Sequence, residues 1–171
     1  MSKIERFEDL HPWQKARELA NAVYDLTGKQ EFARDFSLRN QVQAAAGSVM
    51  HNIAEGFDAG TNTEFIRFLK IARRSASEVQ SQLYLALDRR YIIQSDLSRA
   101  YGLATETRRL INGMIAYLRK ARAIRDGDAS DISSRAAAPP PWMASCEGTP
   151  TRLATVEYLT TELPNDSTIG P

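Results

Sequence analysis

The stretch TNTEFIRFLKIARRSASEVQSQLYLALD, residues 61–88, decides the fold. Thr61 and Glu64 have the spacing of a capping box, in which the threonine hydroxyl accepts a backbone N–H of the first helical turn and the glutamate side chain reaches back to the cap. Apolar or small residues then recur every three or four positions, which is the period of an amphipathic helix. These inward positions are Phe65, Leu69, Ala72, Ala76, Val79, Leu83 and Ala86. The pattern predicts one long helix.

The same period appears on both sides of this stretch. Ser37 and Ser95 are candidate caps of two further helices, and Pro12 and Gly28 frame a fourth. Short loops between consecutive helices favour antiparallel neighbours, and no strand-like alternation occurs. The sequence therefore predicts an all-α fold, an up-down-up-down four-helix bundle. The predicted helices span about 12–27, 37–56, 62–90 and 95–124.

The composition changes at residue 126. Residues 1–125 form the predicted bundle and carry 20 Lys and Arg against 14 Asp and Glu, whereas residues 126–171 carry 2 against 7. This second segment is rich in Pro, Ser and Thr and predicts a largely irregular, acidic tail. Such asymmetry lets the tail fold back on the basic domain, or lets that domain attract a polyanion. A solvated surface of mixed charge is the alternative.

The fourth predicted helix carries two apolar stripes side by side, which is more than packing on a single side requires. This surplus predicts an interface between subunits. A deeply inserted helix in a monomer is the alternative reading of the same pattern. The candidate interface residues are Leu103, Leu110, Met114 and Tyr117.

Several kinds of chemistry lack their sequence signature. Neither histidine belongs to a nucleophile motif or to a pair of Glu-x-x-His motifs, and no glycine-rich phosphate loop is present. We therefore expect no enzymatic activity, catalytic residue, cofactor, metal site or small-molecule substrate. The single cysteine, Cys146, and the absence of a signal peptide or a long apolar run favour a cytoplasmic protein that does not enter a membrane.

Two sets of polar residues stand out. The first set shares a helical face beside the predicted seams and suggests a buried network that fixes helix register, with a binding pocket as the alternative. It comprises Gln41, Ser48, Asn52, Glu55, Ser75 and Glu78. The second set is basic and suggests contacts with RNA or DNA phosphates, although no aromatic residues are interleaved with it. It comprises Arg67, Lys70, Arg73, Arg74, Arg108, Arg119 and Arg122.

Several motifs together resemble the bacterial proteins encoded in intervening sequences of 23S rRNA genes. The resemblance covers about residues 5–122. Its motifs are Leu10-x-x-Trp13-x-Lys15-Ala16-x-x-Leu19, Gln41, Asn52-Ile53-Ala54-Glu55-Gly56, Glu64-Phe65-x-x-Phe68-Leu69-x-Ile71-Ala72 and Ser75-x-x-Glu78.

The resemblance implies a homopentameric ring of four-helix bundles without established enzymatic activity and with a relation to RNA. The chain is also distantly similar to the accessory bundle proteins of diversity-generating retroelements, which bind nucleic acid and partner a reverse transcriptase. From these implications we expect an oligomeric interaction protein, with a nucleic-acid-binding accessory factor as the alternative.

Overall fold

The computed structural model describes residues 5–125, apart from the side chains of residues 30 and 123–125. Predictions about residues 126–171 lie outside this range. The described residues form helices and no strand. In order, they are a short 3-10 turn at Phe7–Asp9 and the helices α1 (His11–Thr27), α2 (Gln30–Arg34), α3 (Phe36–Asp58), α4 (Asn62–Asp88) and α5 (Gln94–Arg125).

The four long helices form the predicted bundle. α1 packs against α3 and α5, and α4 packs against the same two helices from the opposite corner. Each long helix runs antiparallel to the next, because the connections between them are short. The predicted all-α, up-down-up-down fold is therefore confirmed over the described residues.

The core lies along the predicted seams. All seven inward positions of the 61–88 stretch are buried, and so is the inward stripe of α3 from Leu38 to Gly56. The largest fully enclosed side chains include Ile53, Leu69, Leu83 and Ile111, which come from three different helices. Because each helix contributes one apolar face, the bundle buries a continuous interior.

Helix starts agree with the sequence at one predicted cap and differ at two. Thr61 Oγ1 accepts from the Glu64 N–H at 3.2 Å, as predicted, whereas the Glu64 carboxylate accepts from Arg67 at 2.8 Å. The cap of α3 is Asp35, whose Oδ1 accepts from the Leu38 N–H at 3.0 Å, so the prediction of Ser37 was wrong. Ser95 already lies inside α5, which begins at Gln94. In both cases the helix begins before the serine.

The short helix α2 was not predicted. It is five residues long, too short for an apolar period to be visible in the sequence. Its Phe32 is buried and stacks on Tyr91, with ring centroids 5.3 Å apart. The helix thus closes one end of the bundle core.

Met114 occupies a different place from the one predicted. Its side chain is fully buried within the single chain, in the same cluster as Ile111 and Leu118. The assignment of Met114 to a subunit interface was therefore wrong, because part of the second stripe of α5 belongs to the monomer core. Leu103, Leu110 and Tyr117 are only half-buried and stay candidates for such an interface.

Candidate functional site on the two flanks of helix α4

Helix α4 meets α3 along one flank and α5 along the other. We call these the α3·α4 boundary, at residues 41–56 and 65–82, and the α4·α5 boundary, at residues 63–84 and 101–122. The two sets of polar residues singled out in the sequence divide between these boundaries.

The α3·α4 boundary holds a small, satisfied polar network. The hydroxyls of Ser48 and Ser75 are 2.9 Å apart and bridge the two helices. Asn52 Nδ2 donates to the Ser48 carbonyl oxygen at 2.8 Å and to its hydroxyl at 3.0 Å. These side chains are short and at least half-buried, so the network ties α3 to α4 at close range.

The predicted network is smaller than its six candidates. Gln41, Glu55 and Glu78 are exposed on the outer side of the boundary, so the prediction that they belong to a buried network was wrong. Glu78 accepts from Gln82 on its own helix at 3.2 Å. These three residues lie at the edge of the boundary, where their long side chains extend into water and therefore are not buried.

Gly56 allows the close approach at this boundary. A Cβ placed on Gly56 would lie 2.7 Å from Phe65 Cδ2 and 2.8 Å from Phe68 Cβ. Such contacts are too short for any side chain, so only glycine fits between α3 and the start of α4. The chain then turns through Gly60, whose φ of 82° suits a residue without Cβ.

The α4·α5 boundary is built differently, from long polar side chains that cross between the helices. Arg73 Nη1 donates to Asn112 Oδ1 at 3.1 Å. Gln80 Nε2 donates to Thr105 Oγ1 at 2.8 Å, and Gln80 Oε1 accepts from Arg108 Nη1 at 2.8 Å. Together these bonds position two of the predicted arginines at the boundary.

The middle of the α4·α5 boundary is strongly basic, and the acidic residues within the ranges of the boundary are Glu64, Glu78 and Glu106. Residues 65–77 of α4 contain four basic residues and no Asp or Glu, and residues 107–122 of α5 contain five and again no Asp or Glu. These stretches face each other, because Arg122 Nη1 lies 3.4 Å from Thr63 Oγ1 at one end and Arg108 contacts Gln80 at the other. The structure therefore combines two separate runs of basic sequence into one surface.

The predicted basic residues do not all contribute equally to this surface. Lys70 and Arg119 are exposed and share helical rows with Arg73 and Asn112, respectively. Arg67 is engaged locally, because it donates to Glu64 at 2.8 Å and lies 4.4 Å from the centre of the Phe68 ring.

Two further members of the basic set differ in burial. Arg74 is exposed, and the spacing of α4 places it on the outward side of the helix. Arg108 is half-buried, and its Nε is enclosed without a partner among the described residues. Its main role is therefore to hold the boundary together.

Aromatic residues continue the α4·α5 boundary beyond the arginines. Tyr84 and Tyr101 meet edge to face, with ring centroids 5.6 Å apart, and Tyr84 is 51% exposed. Sequence reasoning missed this pair because Tyr84 and Tyr101 come together only when α4 and α5 lie side by side. The available signal was the spacing from Arg73 through Ser77 and Gln80 to Tyr84, which is one helical row.

The candidate oligomer residues lie on the opposite side of α5. Leu103, Leu110 and Tyr117 repeat every seven residues, and Glu106 of the same region faces Lys15 of α1 at 3.5 Å. Hydrogen bonding to Glu18, with Glu106 adding to it, raises the pKa of Lys15. The apolar row therefore lies on the side of α5 that faces α1. It does not overlap the side of α5 that forms the α4·α5 boundary.

Within residues 5–125, no three His, Cys, Asp or Glu side chains come together as a metal site would require. No helix in that part of the chain has both the length and the apolarity needed to cross a bilayer.

Over residues 5–125, the fold and the site together define a small antiparallel four-helix bundle with a basic boundary between α4 and α5. The pattern of the 23S rRNA-intervening sequence proteins matches residues 8–113, more than half of the chain. The chain belongs to this family, as its motifs predicted.

A solved structure supports the fold. It is a protein of unknown function from the S23 ribosomal protein family of Bacteroides thetaiotaomicron VPI-5482, with 24% sequence identity and a TM-score of 0.56. The match covers 61% of this chain and 97% of the other. No curated protein matches the chain.

Proposed function

We propose that this protein is a non-enzymatic binding protein whose α4·α5 boundary binds the sugar-phosphate backbone of RNA or DNA. The observation that carries the proposal is the pairing of residues 65–77 with residues 107–122, two facing stretches with nine basic residues and no acidic one. A surface with a local excess of positive charge attracts a polyanion, whose counterions are released on binding.

The boundary has a suitable length for this role. From Thr63 to Gln80 the helix rises by about 26 Å, at about 1.5 Å per residue. Exposed Lys70 and Arg119 can place their charges on phosphates, while Arg73 and Arg108 are tied to the opposite helix. Binding through such contacts tracks the backbone and carries no sequence information of its own.

The family supports the same direction. The family is named after intervening sequences of 23S rRNA, and the solved relative belongs to the S23 ribosomal protein family. The first partner we propose is ribosomal RNA. The distant similarity to retroelement accessory proteins suggests a second, a reverse transcriptase with its nucleic acid. A cytoplasmic location and the absence of a cofactor belong to this proposal.

A titration of labelled RNA with matched variants tests it. Lys70→Gln with Arg119→Gln removes two exposed charges from the boundary, and Arg17→Gln with Arg34→Gln removes two exposed charges from α1 and α2. Fluorescence anisotropy in low salt should show weaker binding by the first variant and wild-type binding by the second. Equal affinities of the two variants would contradict the proposed site, and no binding by the wild type would contradict the function.

A second proposed property is assembly into a homo-oligomer, with the pentamer implied by the family as the expected form. The specific observation is the row of Leu103, Leu110 and Tyr117, which is half-buried at heptad spacing along α5. Apolar side chains in such a row gain burial when a second subunit covers them. A closed ring would also bring several α4·α5 boundaries together.

Light scattering of two variants tests the assembly. Leu110→Asp should give a monomeric mass with helical content retained, whereas Met114→Asp should unfold the bundle because Met114 is fully buried. A wild-type protein of monomeric mass at micromolar concentration would contradict the proposal. An unchanged mass of the Leu110→Asp variant would place the interface elsewhere.

A further inference from the structure

Tyr84 is the exposed member of an aromatic pair at the end of the α4·α5 boundary. The Tyr84–Tyr101 pair includes an exposed ring, whereas the pairs Phe7–Trp13, Phe32–Tyr91 and Phe57–Phe65 join buried and half-buried rings. Tyr101 covers one part of the Tyr84 ring, with ring centroids 5.6 Å apart and ring planes at 70° to each other. Tyr84 is still 51% exposed. Tyr101 therefore fixes the ring without enclosing it.

The basic surface leads directly to this ring. Arg73, Ser77, Gln80 and Tyr84 follow each other at intervals of four, three and four residues, so they lie on one row of α4. The rise from Arg73 to Tyr84 is about 17 Å, at about 1.5 Å per residue. On α5, Tyr101, Thr105 and Arg108 follow each other at intervals of four and three residues, so they also lie on one row. A strand that follows the basic residues would thus end at the tyrosines.

We propose that Tyr84 is a stacking platform for an unpaired base, and that the α4·α5 boundary selects single-stranded over double-stranded nucleic acid. This inference rests on the proposed function, which names the polyanion but not its form. Bases inside a duplex are already stacked and cannot lie on a side chain, whereas bases of a single strand can. A positive groove combined with an exposed aromatic ring is the arrangement that binds single strands.

Every base has a π-face, so the platform would accept any of them. The arginines and Lys70 would then supply the salt-dependent part of the affinity, and Tyr84 would supply the preference for an unpaired strand. The tyrosine hydroxyl is not needed for stacking, and a phenylalanine at this position should perform equally well.

The test uses the full chain with three variants and two labelled RNAs of equal length, one single-stranded and one a hairpin duplex. Tyr84→Leu keeps an apolar side chain but removes the ring, Tyr84→Phe keeps the ring, and Tyr24→Leu removes a tyrosine that is 56% exposed on α1. Tyr84→Leu should weaken binding of the single strand by about 5- to 150-fold, the effect expected for the loss of one stacked base. It should leave duplex binding unchanged, and both other variants should bind as the wild type does.

Three results would overturn the inference. The first is wild-type affinity of Tyr84→Leu for the single strand, and the second is an equal loss for both RNAs. The third is a loss that matches the unfolded fraction of Tyr84→Leu in a thermal melt recorded alongside. Binding of neither RNA by the wild type is a separate outcome, because it removes the proposed function itself and not only the preference for one form.

Discussion

The two flanks of helix α4 meet their neighbours in opposite ways. At the α3·α4 boundary, Gly56 and the hydroxyls of Ser48 and Ser75 bring two backbones close together without using a charge. At the α4·α5 boundary, Arg73, Gln80 and their partners connect the two helices through long polar side chains. One flank is therefore specialised for packing, and the other leaves charged groups within reach of solvent.

The difference has a simple physical origin. Small side chains let helices approach closely and leave no room for a ligand, whereas long side chains hold the helices together and still present their charged ends. In a bundle of this size, each helix needs only one apolar face toward the core. The flanks are then available for separate roles, which variants of each flank can distinguish.

The largest expected effect concerns the packing flank. Gly56→Ala should lower the free energy of unfolding by about 1–3 kcal/mol, because the new Cβ would press on Phe65 and Phe68. Gly47→Ala is the matched control in the same helix, since its Cβ would meet only the His51 ring at 3.5 Å. This control should stabilise the protein by about 0.5–1 kcal/mol through helix propensity. Urea unfolding of both variants measures the contrast, and equal effects would contradict the close approach.

A comparable loss of stability is expected when the hydrogen bonds of Gln80 at the α4·α5 boundary are removed. Gln80→Leu should cost about 1–3 kcal/mol, because it removes the acceptor of Arg108 and the donor to Thr105. Gln82→Leu is the control on the α3·α4 side, since Gln82 Oε1 is buried and has no hydrogen-bond partner within residues 5–125. Its removal should change stability by about 0.5 kcal/mol or less, or stabilise the protein. A larger loss for Gln82→Leu in urea unfolding would reverse the comparison.

A smaller effect is expected from the serine pair. Ser48→Ala, Ser75→Ala and the double variant form a thermodynamic cycle, in which the coupling energy should be about 0.5–1.5 kcal/mol for one hydrogen bond. The unfolding curves of the wild type and the three variants provide this value. Strict additivity of the two substitutions would mean that the 2.9 Å contact contributes nothing to the α3·α4 boundary.

Most of the fold was predictable from the sequence, because the apolar period of residues 61–88 and the similar periods of the other long helices are local signals. The exceptions were also local. Asp35 competes with Ser37 as a cap, and five residues of α2 show no period. Met114 was misplaced because a stripe of apolar residues does not reveal whether its own chain or a second one covers it.

The site was less accessible from the sequence. The basic residues were found by their charge, but their pairing across α4 and α5 depends on the register of two antiparallel helices. Gln80 and Tyr84 were overlooked for the same reason, since neither stands out until Thr105 and Tyr101 are placed opposite them. The sequence thus identified the basic residues, but it did not show which residues of α4 and α5 lie opposite each other.

The most direct test of the central claim is the salt dependence of RNA binding by the wild type and by the two charge variants. For a site that contacts phosphates, log K falls linearly with log salt concentration, by about 0.7–0.9 per phosphate contact. Lys70→Gln with Arg119→Gln should therefore flatten this slope by about 1.4–1.8, and Arg17→Gln with Arg34→Gln should leave it as in the wild type. Identical slopes for all three proteins would contradict the assignment of the α4·α5 boundary as the nucleic-acid-binding flank.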